Sequence, residues 1–119
     1  MIEVIKKYAG LPFRYGQDCC QFAGECVEAI TGKNPMLGFL YDDEKSAYDI
    51  IHSYGDLEGA ALSLLGDPYT GHKDGDVCLL EIKGRQLIGI IFNGRAVVRT
   101  EQTGLMDLPI NRAKLIWCT

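Results

Sequence analysis

Apolar and polar positions follow a helical period in the first half of the chain and a strand period in the second. Ile2, Val4 and Ile5 predict a short, partly buried helix over residues 2–9, ended by Gly10 and Pro12. Cys19, Phe22, Ala23, Cys26, Val27 and Ile30 recur at i, i+3, i+4, i+7, i+8 and i+11. That spacing predicts a central helix over residues 19–31 with one apolar stripe, Gln21, Glu25 and Glu28 facing elsewhere and the two glutamates on a solvated face. Asp18 is placed to be its N-cap, and Gly32 its C-cap. Residues 36–41 read as a connector. Asp42 or Asp43 then caps a helix to about Tyr54, Gly55 breaks it, and Asp56 caps another to about Leu65, ended by Gly66.

From Gly75 the pattern is that of strands. Asp76 to Lys83 predicts the first, with a tight turn at Lys83-Gly84, and Arg85 to Phe92 the second. Asn93-Gly94 is a type I′ hairpin signal leading to a third strand, Arg95 to Thr100. Thr103-Gly104 turns, Pro109 keeps residues 105–112 irregular or at an edge, and Leu115 to Cys118 closes the sheet. Helices followed by an antiparallel meander predict a single α+β domain over residues 1–119.

Composition narrows the function classes. The chain of 119 residues is 47% hydrophobic and 24% charged, with a net charge of -4, which is ordinary for a globular domain and unlike a nucleic-acid binder. No apolar run reaches the roughly 18 residues of a membrane span. The acidic, amphipathic start does not read as a signal peptide, so the expected compartment is a cytosol, or release by lysis. Five cysteines without a leader argue against a disulfide framework, and no C-x-x-C pair suggests zinc. Cys26, Cys78 and Cys118 sit among apolar residues and read as small buried hydrophobes. The expectation is a protein with no cofactor and no metal. A weaker reading uses Cys19, Cys20 and Cys26 with others around an iron–sulfur cluster or zinc.

The candidate chemistry centres on Cys19. A thiol in the first turn of a helix meets free N–H groups and the positive end of the dipole, which favour a thiolate. Helical spacing points Cys19 into the apolar stripe, so a buried, unactivated Cys19 is the competing reading, with Asp18 then acting as an N-cap alone.

Tyr15-Gly16-Gln17-Asp18-Cys19-Cys20 resembles the nucleophile motif of the NlpC/p60 superfamily of papain-like cysteine peptidases. Gly75-Asp76-Val77 is similar to the start of that family's first core strand. Ile88-Gly89-Ile90 followed by Asn93-Gly94 is similar to the stretch after its catalytic histidine. The chain is closer still to a small NlpC/p60-like family of bacteriophages and prophages, through the helix end at Thr31-Gly32 and the Gly38-Phe39-Leu40-Tyr41 element. The resemblance implies a papain-like fold with N-terminal helices packed on an antiparallel sheet. It also implies a protein encoded among tail genes, passing from host cytoplasm to virion tail.

One departure stands out. Leu87 occupies the slot where the resemblance expects the catalytic histidine, and only Arg99 and Thr100 lie where it expects a third polar residue. Leucine takes no proton and arginine gives none up, and losing a general base costs about 10²–10⁴-fold. The chain has two histidines, His52 and His72, both predicted off the strands. The expected function is therefore a tail tip or baseplate structural or assembly protein on a catalytically degenerate scaffold. The alternative is an active cysteine hydrolase of peptidoglycan stem peptides or a tail protein, with Cys19 as nucleophile and His72 as an improvised base. Expected partners are other tail subunits, with peptidoglycan under the alternative, and neither nucleic acid nor a membrane. Phe39, Tyr41, Tyr48, Tyr54 and Tyr69 read either as core or as a surface for such subunits.

Overall fold

The computed structural model of the chain describes residues 1–10, 19–34, 49, 51–100 and 104–118. The loop before Cys19, including Asp18, the connector with Gly38 to Tyr41, the caps at Asp42 or Asp43, and Thr103 lie outside them. Among the described residues the order is α1 (Ile2–Ala9), α2 (Cys19–Thr31), α3 (Leu57–Leu65), β1 (Val77–Ile82), β2 (Arg85–Phe92), β3 (Arg95–Thr100), β4 (Gly104–Pro109) and β5 (Ala113–Trp117). The domain is α+β, with helices preceding a five-stranded antiparallel sheet of order β4-β3-β2-β1-β5.

The helices start and stop where polar and glycine residues direct. Asp56 caps α3 by accepting from the Gly59 amide at 2.8 Å, and Gly66 ends it with a φ of 81°. Ile51 and His52 are helical, and backbone bonds from Ser53, Tyr54 and Gly55 close that helix one turn before α3.

Two helices depart from expectation. In α1 the buried residue is Tyr8, with Val4 and Ile5 half-buried beside it, while Ile2 is 52% exposed. Ile2 lies half a helical turn from Val4, off the stripe that Val4 and Tyr8 define at i, i+4. In α2 burial is not one stripe: Cys19, Cys20, Gln21, Phe22, Ala23, Gly24, Cys26 and Val27 are all buried. It fades along the helix, so that Ile30 is 48% exposed. The first turns of α2 are enclosed on several sides, with α1 and strands β2 and β3 among its neighbours. A pattern read on one face does not anticipate that.

The sheet follows its turn chemistry. Lys83-Gly84 and Asn93-Gly94 both take positive φ at two successive residues (53° and 78°, 53° and 71°), the signature of type I′ hairpins. Gly89, in the centre of β2, is required for a different reason. A Cβ there would stand 2.6 Å from the Val97 carbonyl oxygen and 3.3 Å from Cys78 Sγ. The Ile88-Gly89-Ile90 triplet thus has a packing cause in this chain.

β4 and β5 are the two edges of the sheet, yet only the 3-10 turn Ile110–Arg112 joins them. Flat strands would set the edges about 19 Å apart, at four inter-strand steps. The chain from Pro109 to Ala113 reaches at most about 14 Å. The sheet must therefore roll, and the bulge between Leu79 and Leu80 against β5 supplies part of the bend. Residues 104–109, expected to be irregular or at an edge because of Pro109, are a regular edge strand, with Pro109 as its last residue.

Both faces of the central strands are buried, as their continuous apolar runs suggest. On one face Gln86 accepts from the Glu58 amide at 3.1 Å, and Trp117 Nε1 donates to the Gly66 carbonyl at 2.9 Å. These two bonds pin the opposite ends of α3 to the sheet.

Candidate functional site

Cys19 is the first residue of α2 and is 9% exposed, and Cys20 beside it is 1% exposed. The helix start is thus a buried place, enclosed by its own Phe22 and by α1. Tyr8 and Phe22 meet edge to face, with centroids 5.3 Å apart.

Arg99, in the slot of the expected third polar residue, is fully buried near the end of β3. Its Nη1 donates to the Tyr8 carbonyl at 2.6 Å, and its guanidinium lies 5.0 Å from the Tyr8 ring centroid. Tyr8 in turn donates its hydroxyl to Glu25, and Glu25 pairs with Lys7 at 2.8 Å. Glu25 is therefore not simply a solvated face: it ties α1 to α2, while Glu28 is exposed as expected. A guanidinium so placed stabilises the C-terminal end of α1, where carbonyl oxygens lack helical partners. It holds the fold together and moves no proton.

Leu87 lies on β2 opposite Leu80, 9% exposed, on the face that carries Gly89 and Cys78. It contributes packing and no acid–base capacity.

The histidines are placed elsewhere. His52 is exposed at the end of the short helix before α3. His72 is exposed in the loop between α3 and β1, three residues before Gly75. Gly75 sits at the C-terminal end of α2, for a Cβ there would come 2.4 Å from Ile30 Cδ1. Cys19 is 11 residues before Ile30 on the same helix, about 16 Å of rise. The structure thus puts Cys19 at one end of α2 and Gly75, three residues after His72, at the other. General base catalysis needs a separation of about 3 Å or one bridging water.

The loop bearing His72 is also anchored. Asp76, with 0% exposure, accepts from the Tyr69 hydroxyl, from the Lys73 amide at 2.9 Å and from Lys73 Nζ at 2.6 Å. Tyr69 bridges to Ile116 of β5 through its backbone. The bond to Asp76, joined by partial burial, holds the Tyr69 phenol up at about 12. The Gly-Asp pair before β1 is therefore a structural hub. Its sequence signal was an acidic residue directly ahead of an apolar strand. The matching signal for Arg99 was a cation directly after the apolar run Ala96-Val97-Val98 of β3.

The chain matches one family model, that of the DUF6950 domain of unknown function, over residues 1–119. The chain belongs to the DUF6950 family. A search of curated proteins finds no match.

The remaining thiols of this DUF6950 domain divide by environment. Cys26 and Cys78 are fully buried, and desolvation pushes both up to about 12. Cys118 was expected to be buried and is exposed, because β5 pairing ends one residue earlier, at Trp117. Alkylation of the native protein followed by peptide mass mapping is expected to label Cys118 first and Cys26 and Cys78 only on unfolding. Early labelling of Cys26 or Cys78 would contradict their buried placement. Among the described residues no three histidine, cysteine or acidic side chains converge as metal ligands would. No described helix is long and apolar enough to cross a membrane. Of the aromatics considered for docking, Tyr54 is 42% and Tyr69 37% exposed, while Phe39, Tyr41 and Tyr48 lie outside the described residues.

Proposed function

We propose that this DUF6950 domain is a structural or assembly component of a bacteriophage tail tip or baseplate. In this reading it is built on a papain-like NlpC/p60 scaffold that has lost its catalytic pair. The observation that carries the loss is Leu87, a buried leucine where the resemblance expects the histidine. Three further features support it. Cys19 opens a central helix, as the nucleophile of that scaffold does. Neither histidine lies on a strand, and the loop of His72 runs into Gly75, which meets Ile30 at the far end of α2 from Cys19. Arg99, in the slot for an orienting residue, is spent on α1. The assignment to a tail rests on the resemblance of the Asp18-Cys19, Gly75-Asp76 and Gly38 to Tyr41 motifs to those of tail-encoded proteins.

The hydrolase alternative retains one favourable observation, the position of Cys19 at a helix start. It would require His72, or a group supplied by another subunit, to reach the far end of α2.

Two measurements test the proposal. Purified protein incubated with peptidoglycan is expected to release no soluble muropeptides, and Cys19→Ala is expected to behave as wild type. Release by wild type that is lost in Cys19→Ala would overturn the inactive-scaffold reading. Mass spectrometry of purified virions from a phage encoding the chain is expected to find it in the particle. Its presence in the lysate and absence from virions would remove the tail-component reading.

A further inference from the structure

We propose that Cys118 and Lys73 form an oxidant-responsive pair, in which a peroxide oxidises the Cys118 thiol and the Lys73 amine captures the product in a sulfur–nitrogen bond. Cys118 is the exposed member of the chain's described thiols, the other four being buried. Lys73 Nζ donates to Cys118 Sγ at 3.5 Å, although the two residues are 45 positions apart. The contact is built rather than incidental to one flexible side chain. Both ends of Lys73 are held by Asp76, the amide at 2.9 Å and the ammonium at 2.6 Å. Asp76 is itself fully buried, and the Tyr69–Ile116 bridge fixes this loop beside the end of β5. A pinned amine within a van der Waals contact of sulfur has the proximity that turns a bimolecular step into an intramolecular one.

The chemistry balances in two steps. The thiol and hydrogen peroxide give a sulfenic acid and water, a two-electron oxidation of sulfur with peroxide as the electron acceptor. The Lys73 ammonium then gives a proton to solvent base. Its free nitrogen attacks sulfur, the sulfur–oxygen bond breaks, and the hydroxyl leaves with the remaining proton as water. The product links the loop before β1 to the end of β5. A thiol reductant returns both side chains.

The bond to Asp76 holds the Lys73 amine above its ordinary value. The test therefore treats the full chain with hydrogen peroxide over a pH series from about 8 to about 10, along which the neutral fraction of a lysine rises, and maps tryptic peptides. The expected product is lighter than the untreated protein by two hydrogens, yields a peptide linking Lys73 to Cys118, and reverts with dithiothreitol. Lys73→Arg keeps the positive charge but offers no comparable amine. It is expected to lose the linked peptide completely and to gain labelling of Cys118 by dimedone, a sulfenic-acid trap. Equal dimedone labelling of wild type and Lys73→Arg without any linked peptide would overturn the proposal. So would a Cys118 that stays reduced throughout.

Discussion

Arg99→Met is expected to destabilise the domain by about 3–4 kcal/mol, lowering the melting temperature by roughly 10–20 °C. The methionine keeps most of the buried stem, so the loss is mainly that of the guanidinium. A charged hydrogen bond is worth about 1.5–3 kcal/mol, and a desolvated cation over an aromatic face about 2 kcal/mol. The change removes the bond to the Tyr8 carbonyl and the contact with the Tyr8 ring together. The Tyr8 carbonyl at the end of α1 keeps the Gly10 amide but loses the charged donor. Arg99→Lys is expected to recover only part of the loss, because an ammonium lacks the planar fork that stacks and donates at once. Urea and thermal melts with circular dichroism measure both variants. A loss below about 1 kcal/mol for Arg99→Met would show that α1 is held by its apolar contacts and not by Arg99.

That Arg99 stabilises the fold bears on function. In a papain-like site a polar group at this stage of the sheet orients the catalytic histidine. Here the cation is bound to Tyr8 of α1, and a leucine in the histidine slot offers no imidazole for a polar group to orient. Under the proposed reading, Leu87 and Arg99 are changes of the same kind: positions that would carry a proton relay serve packing and helix anchoring instead. The proposed inactive scaffold would be under no demand to keep a thiol accessible, which agrees with a Cys19 that is 9% exposed.

Much of the architecture was legible because local signals agree with the tertiary arrangement. The bounds of α2, α3, β2 and β3 follow from period, capping and turn residues. The Asn93-Gly94 turn can be read from two letters, since few residue pairs accept two successive positive φ angles. What was hidden depends on neighbours distant in sequence. Gln21 and Cys20 are buried because other elements surround the start of α2, a condition no single helix face records. Glu25 looks solvated until Tyr8 and Lys7 are brought to it. β4 was obscured by Pro109, whose missing N–H is harmless at the end of an edge strand. The site was legible in the same measure. The position of Cys19 at a helix start was apparent from spacing, and Leu87 stood out only through the resemblance. The separation of His72 from Cys19 was not, because it depends on which end of α2 the loop before β1 approaches. Ile30 against Gly75 decides that, through a contact between residues 45 positions apart.

The same loop supports the other large effect. Asp76→Asn is expected to cost about 2–4 kcal/mol, since the carboxylate is fully buried and accepts three hydrogen bonds. An asparagine of the same shape presents one acceptor oxygen and one donor nitrogen. Whichever way the amide turns, the nitrogen would face a Lys73 donor, the backbone N–H on one side or the ammonium on the other, and the ammonium would lose its counter-charge. The variant also separates a packing loss from a charge loss through pH. In the wild type the bond to Asp76 raises the folded Tyr69 phenol from 10.0 to about 12. A group raised on folding stabilises the native state fully below its unfolded value and loses that contribution as pH rises through the folded one. Wild-type stability is therefore expected to fall between about pH 10 and pH 12 as Tyr69 ionises. Asp76→Asn is expected to be less stable at neutral pH and to lack that alkaline step. Tyrosinate absorbance followed alongside urea melts checks both: the titration step that Tyr69→Phe removes is expected to lie lower in Asp76→Asn than in the wild type. An unchanged tyrosine titration would mean that Asp76 does not hold Tyr69. The loop bearing His72 would then be fixed by the backbone pairing of Tyr69 with Ile116 alone.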